Sequence, residues 1–72
     1  MNHDFLHDLL HRSPFEPFAV HLSNGEVHPV KHPEFANSTR TRLVVVDPVA
    51  DRITIVSLLH IANVEMLKPA AA

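Results

Sequence analysis

Gly25 is the only glycine in this 72-residue chain, and it follows Asn24 between two runs of alternating apolar and polar residues. A single glycine leaves one place where a backbone free of a Cβ can turn at positive φ. Asn-Gly between such runs is the strongest short-range hairpin signal. Phe18, Val20 and Leu22 alternate with Ala19, His21 and Ser23, and the return run starts at Glu26. A two-residue turn pairs Leu22 with Val27, His21 with His28 and Val20 with Pro29. Pro29 has no N–H for a ladder, so its amide side belongs at an edge or a bulge.

Ahead of the hairpin the period is helical. Residues 3–12 read as an amphipathic helix with Phe5, Leu6, Leu9 and Leu10 on one face. His3, His7 and His11 stand at i, i+4 and i+8 beside that face. Pro14 ends the helix, because the residue before a proline avoids the α region. Residues 13–17 form a connector stiffened by Pro14 and Pro17, and Phe15 and Phe18 anchor the helix to the strands.

Behind the hairpin, His32-Pro33-Glu34-Phe35 breaks the return strand and 36–41 reads as a polar loop. The run RLVVVD (42–47) has few polar interruptions, which suits a strand buried on both faces or strongly bent. Asp47-Pro48 opens a turn that ends near Asp51, and 52–57 returns with Ile53 and Ile55 in alternation. Residues 58–61 make a short apolar connector, 62–67 a last strand, and 68–72 a tail that frays. The sequence therefore predicts one α+β domain over 1–72. Its N-terminal helix precedes a five-stranded, strongly bent antiparallel small barrel spanning 18–67.

A chain this short buries only about 60% of its unfolded surface, so its stability margin is thin. Disulfides, a metal or oligomerisation commonly widen that margin. With no cysteine, disulfides, thiolate zinc sites and thiol catalysis are excluded. Six Lys and Arg stand against eight Asp and Glu, a net charge of −2 with neutral histidine. Nucleic-acid binders draw most of their affinity from phosphate neutralisation and usually show a basic excess. Protonating all seven histidines would carry the charge from −2 to +5. The N-terminus lacks a basic start and a long apolar run, and no stretch approaches the ~18 apolar residues of a membrane span. The expectation is a soluble, cytoplasmic protein.

The order of elements resembles the Sm-like barrels, a branch of the SH3-like barrels. FAVHLSNGEV resembles the first hairpin of bacterial Sm-like RNA chaperones, and Phe35 falls where that family keeps a phenylalanine after its second strand. IVSLLHIANVEML resembles its last strand pair. The RNA-contacting positions of that family do not carry over. Val30 stands at its strand-2 glycine, Ala36 at its acidic or amide residue, and Leu59 at its histidine, with His60 one place off. PFEPF, HLSNGE, HPEF and SLLHIANVEML also resemble a family of very short bacterial proteins of unknown function. That likeness spans most of the chain and implies no activity, cofactor or substrate.

Metal binding, nucleic-acid binding and catalysis are the chemistries to weigh. His21 and His28, paired across the hairpin, could share a zinc or copper ion with His32 as a third ligand. The alternative is solvated histidines on a polar face. For His32 a structural role is the stronger reading. Its ring donates to a backbone carbonyl, Pro33 sets φ and Phe35 plugs the barrel end. Arg40, Arg42 and Arg52 could form a small basic patch for RNA, multiplied by ring assembly, or simply solvate strand ends. No tyrosine or tryptophan is present for base stacking. The serines lack the setting of a nucleophile, no glycine-rich phosphate loop exists, and a small barrel has little room for a pocket of ~300 Å³. Hence no enzyme, cofactor or small-molecule substrate is expected. The apolar wealth of 52–67 exceeds what one small core absorbs, which points to a homo-oligomer or a protein partner.

Overall fold

The computed structural model describes residues 1–67; the tail at 68–72 lies outside them. Helix α1 (His3–His11) precedes strands β1 (Phe18–Leu22) and β2 (Val27–Val30). A 3₁₀ corner (Pro33–Phe35) leads into β3 (Ala36–Ser38), β4 (Arg42–Asp47) and β5 (Arg52–Ser57). A second 3₁₀ corner (Leu58–His60) leads into β6 (Ile61–Met66).

The strands form two antiparallel three-stranded sheets, ordered β2-β1-β6 and β3-β4-β5. The α+β class and the N-terminal helix agree with the sequence; a closed five-stranded barrel does not. The sheets are not closed on one another. Pro33, with no N–H and φ fixed near the helical value, starts a 3₁₀ turn that separates β2 from β3. The segment after it, expected as a polar loop, is a strand: Ala36, Asn37 and Ser38 pair with Val45, Val44 and Leu43.

Asn2 caps α1, its Oδ1 accepting the Asp4 N–H at 2.7 Å. Leu6, Leu9 and Leu10 at i, i+3, i+4 are buried and α1 lies against β3. Phe5, expected on that face, is 48% exposed. It sits one residue, about 100° of helical rotation, from the buried stripe. Phe15 packs against the core from the connector, its ring centroid 6.0 Å from that of Phe18.

The core joins all layers. Phe18, Val20 and Val30 come from the first sheet, Leu43, Val45 and Val56 from the second, and Leu58 and Ile61 from the second corner and the start of β6. Burying one such side chain contributes roughly 1.5–3 kcal/mol. β4 alternates, with Leu43 and Val45 buried and Val44 and Val46 half-buried, instead of being buried on both faces. Its outer face carries apolar residues that the rest of the chain covers only in part. Among the described residues no helix is long and apolar enough to cross a membrane.

Candidate functional site

The hairpin register decides the fate of the histidines. Gly25 has φ +93°. Its N–H donates to the Leu22 carbonyl at 3.0 Å, and the Leu22 N–H donates to the Glu26 carbonyl at 2.8 Å. Ser23, Asn24 and Gly25 thus make a three-residue turn ending in a left-handed glycine, not a two-residue turn. Asn24 braces it, Oδ1 accepting the Glu26 N–H at 2.9 Å and Nδ2 donating to the Glu26 carboxylate at 2.8 Å. The extra residue shifts the register by one: Val20 faces His28, His21 faces Val27 and Ala19 faces Pro29.

A one-residue slip sends each side chain to the opposite face. His21 and His28 therefore leave on different faces of the sheet. His21 Nε2 lies 3.0 Å from the Glu65 carboxylate on β6, whereas His28 Nε2 lies 3.2 Å from Glu26. His32 stands apart again, its ring edge-on to Phe35 at a centroid distance of 5.0 Å. The corner is held by that contact and by the Phe35 N–H donating to the His32 carbonyl at 3.1 Å; among the described residues the His32 ring makes no hydrogen bond. Phe35 is half-buried beside the corner and does not plug a barrel end. Among the described residues no three histidine or carboxylate groups converge on a point that could hold an ion.

On α1 the His7 and His11 rings stack at 4.1 Å, with His3 a further 5.8 Å from His7. His11 Nδ1 lies 2.9 Å from the His7 carbonyl, to which its N–H donates. Beyond them, Arg12 reaches Asp8 at 2.8 Å and Glu16 at 3.8 Å. The Asp8 hydrogen bond, aided by both negative charges, raises the Arg12 pKa above its ordinary value.

The three arginines do not form one patch. Arg42 pairs with Ser57 and Arg52 with Asp47, at opposite ends of the β4–β5 ladder. Five residues of strand separate them, about 17 Å. Arg40 and Arg42 share the β3–β4 turn, closed by the Thr39 N–H donating to the Arg42 carbonyl at 2.8 Å.

Two features are not foreshadowed by the sequence. The surface carries hollows of about 280, 420 and 510 Å³ where a small barrel was expected to leave little room. Arg52 lines the smallest of them, together with Lys31. The other feature is the outer edge of β5. The Leu58 N–H donates to the Thr41 carbonyl at 2.9 Å, in register with the β4–β5 ladder. Alternation then turns the backbone groups of Arg52, Thr54 and Val56 toward β4, and those of Ile53, Ile55 and Ser57 toward the open edge. Ile53 and Ile55 are 70% and 63% exposed, on the same face as their cross-strand partners Val46 and Val44. The alternation of 52–57 was legible; that its isoleucines face outward was not, because an apolar run does not say which side the core lies on.

Compared with protein-family models, curated proteins and solved structures, the chain matches none of them.

Proposed function

We propose that the protein is a non-catalytic, cytoplasmic assembly module that pairs with a second copy of itself along the open edge of β5. The observation that carries this reading is the coincidence, on one strand, of exposed isoleucines and an edge that no other described strand pairs. Edge strands are normally blunted by lysine, proline, a bulge or a cover. RITIVS has neither lysine nor proline, and its ladder to β4 runs without a register shift.

An antiparallel two-fold pairing suits this edge. With Thr54 on the axis, Ile53 of one copy meets Ile55 of the other, and both have edge-facing N–H and C=O groups to exchange. Arg52 then stands across from Val56, so no like charges oppose one another. The strand order supports reading each copy as a small Sm-like or SH3-like barrel opened along one seam. β2 and β3 follow one another around the Pro33 corner and link the sheets as a single bent strand would.

Size exclusion with light scattering tests the reading. The chain lacks tyrosine and tryptophan, so refractive index must serve as the mass detector in place of 280 nm absorbance. A concentration-dependent dimer that the Ile53→Lys/Ile55→Lys variant converts to a folded monomer is the expected result. A monomer at every concentration overturns it. A ring-sized mass carrying nuclease-sensitive absorbance at 260 nm would favour RNA binding through Arg40 and Arg42 instead.

A further inference from the structure

We propose that the cleft between the end of β2 and the β4–β5 turn binds a small amphipathic anion: an apolar ring or chain bearing one carboxylate, sulfonate or phosphate. The cleft lies beside the Pro33–Phe35 corner and draws its lining from both sheets. His28 enters it from β2, on the face shared with Val20, and Thr54 enters from β5, on the face shared with Val45. Its volume is about 280 Å³, near the lower bound of roughly 300 Å³ for small-molecule sites.

Charge selects the ligand's head. Lys31 and Arg52 both line this cleft. Among the described residues neither has a carboxylate within 4.0 Å, whereas Arg12 engages two. The one acid on the rim, Asp47, is already committed through Oδ1, which accepts the N–H groups of Val49 and Ala50 at 3.1 Å each. Lys31 and Arg52 against Asp47 leave the charged lining residues one net positive charge, while His28 is engaged by Glu26 at 3.2 Å. An arginine offers an oxyanion a planar fork and a lysine a point charge, and this cleft is lined by one of each.

Apolar walls select the body. Pro29, Phe35, Pro48 and Val49 flank the two cations. Val49 is 97% exposed, an aliphatic side chain held in water at the rim of a hollow. The walls are also set in advance. Two are prolines, and the Asp47 hydrogen bonds fix the turn that presents Val49, so little ordering remains for the moment of binding.

The test uses 8-anilinonaphthalene-1-sulfonate as the anionic probe and N-phenyl-1-naphthylamine as its neutral counterpart. Both are titrated into the full chain by fluorescence and by ¹⁵N–¹H correlation spectra. Expected is saturable one-to-one binding of the sulfonate, with amide shifts centred on Lys31, Phe35, Val49 and Arg52. The neutral probe should bind at least tenfold more weakly. Lys31→Gln/Arg52→Gln should weaken the sulfonate at least tenfold, leaving the neutral probe and the melting temperature unchanged. Equal affinity for the two probes, an unchanged affinity in the double variant, or shifts centred on Ile53 and Ile55 would each overturn the proposal. The neutral-probe comparison stands even if the double variant fails to fold.

Discussion

Val20 stands directly across the first hairpin from His28, with its side chain in the core while the histidine stays half-buried at the rim. One turn residue separates this arrangement from its alternative. Gly25 holds φ +93°, and a Cβ built there meets nothing within 4 Å. Gly25→Ala therefore tests backbone strain alone. The expected cost is about 1–2 kcal/mol, read as a fall in melting temperature of about 4–8 °C per kcal/mol. Gly25→Asn should cost less, since asparagine tolerates the left-handed region.

The second turn is held differently. Asp47 Oδ1 accepts two backbone N–H groups, and Asp51 sits at φ 56°. Asp47→Ala should destabilise by about 1–2 kcal/mol through the two lost hydrogen bonds. Asp51→Gly should be neutral or stabilising, and Asp51→Val should cost about 1–2 kcal/mol. Denaturant midpoints of the three variants give the ranking.

Ser38 presents the opposite case: its Oγ is buried and has no hydrogen-bond partner among the described residues. An unpaired buried hydroxyl costs about 1–3 kcal/mol. Ser38→Ala should therefore leave stability unchanged or raise it by about 1 kcal/mol. A clear loss in chemical denaturation would mean that the hydroxyl finds a partner in solution.

The two faces of α1 should separate cleanly. Leu6→Ala opens a cavity in the core and should cost about 2–5 kcal/mol, enough to unfold much of a domain this small. Phe5→Ser, one residue away on a half-exposed face, should cost only about 1 kcal/mol, well short of Leu6→Ala. Circular dichroism melts of the pair test which face of the helix the core takes.

Where the sequence was readable, short-range chemistry decides the structure. The Leu6-Leu9-Leu10 spacing specified the helix, Asn24-Gly25 the hairpin, and Asp47-Pro48 the second turn. The rest turns on choices that local pattern leaves open. Asn-Gly serves both a two-residue turn and a three-residue turn ending in left-handed glycine, so the partner of His21 was not fixed. Ala36-Asn37-Ser38 shows no apolar alternation; β4 alone makes it a strand. Arg52 lies only ten residues from Arg42 in sequence, yet the two mark opposite ends of one ladder. Arg52 also shares a cleft with Lys31, which follows β2 of the other sheet, a meeting that no spacing announces.

β1 takes β2 as one neighbour and β6 as the other, so that Phe18 is flanked by Val30 and Met66. The first sheet thus closes over the core only when residues from opposite ends of the described chain meet. During synthesis the helix and the first hairpin gain their last strand only after the whole second sheet has been made. Pairing so distant in sequence requires loop closure before any contact rewards it. A nascent chain stopped before Ile61 leaves the outer side of β1 bare, a sticky edge on the ribosome where the finished molecule has a paired strand.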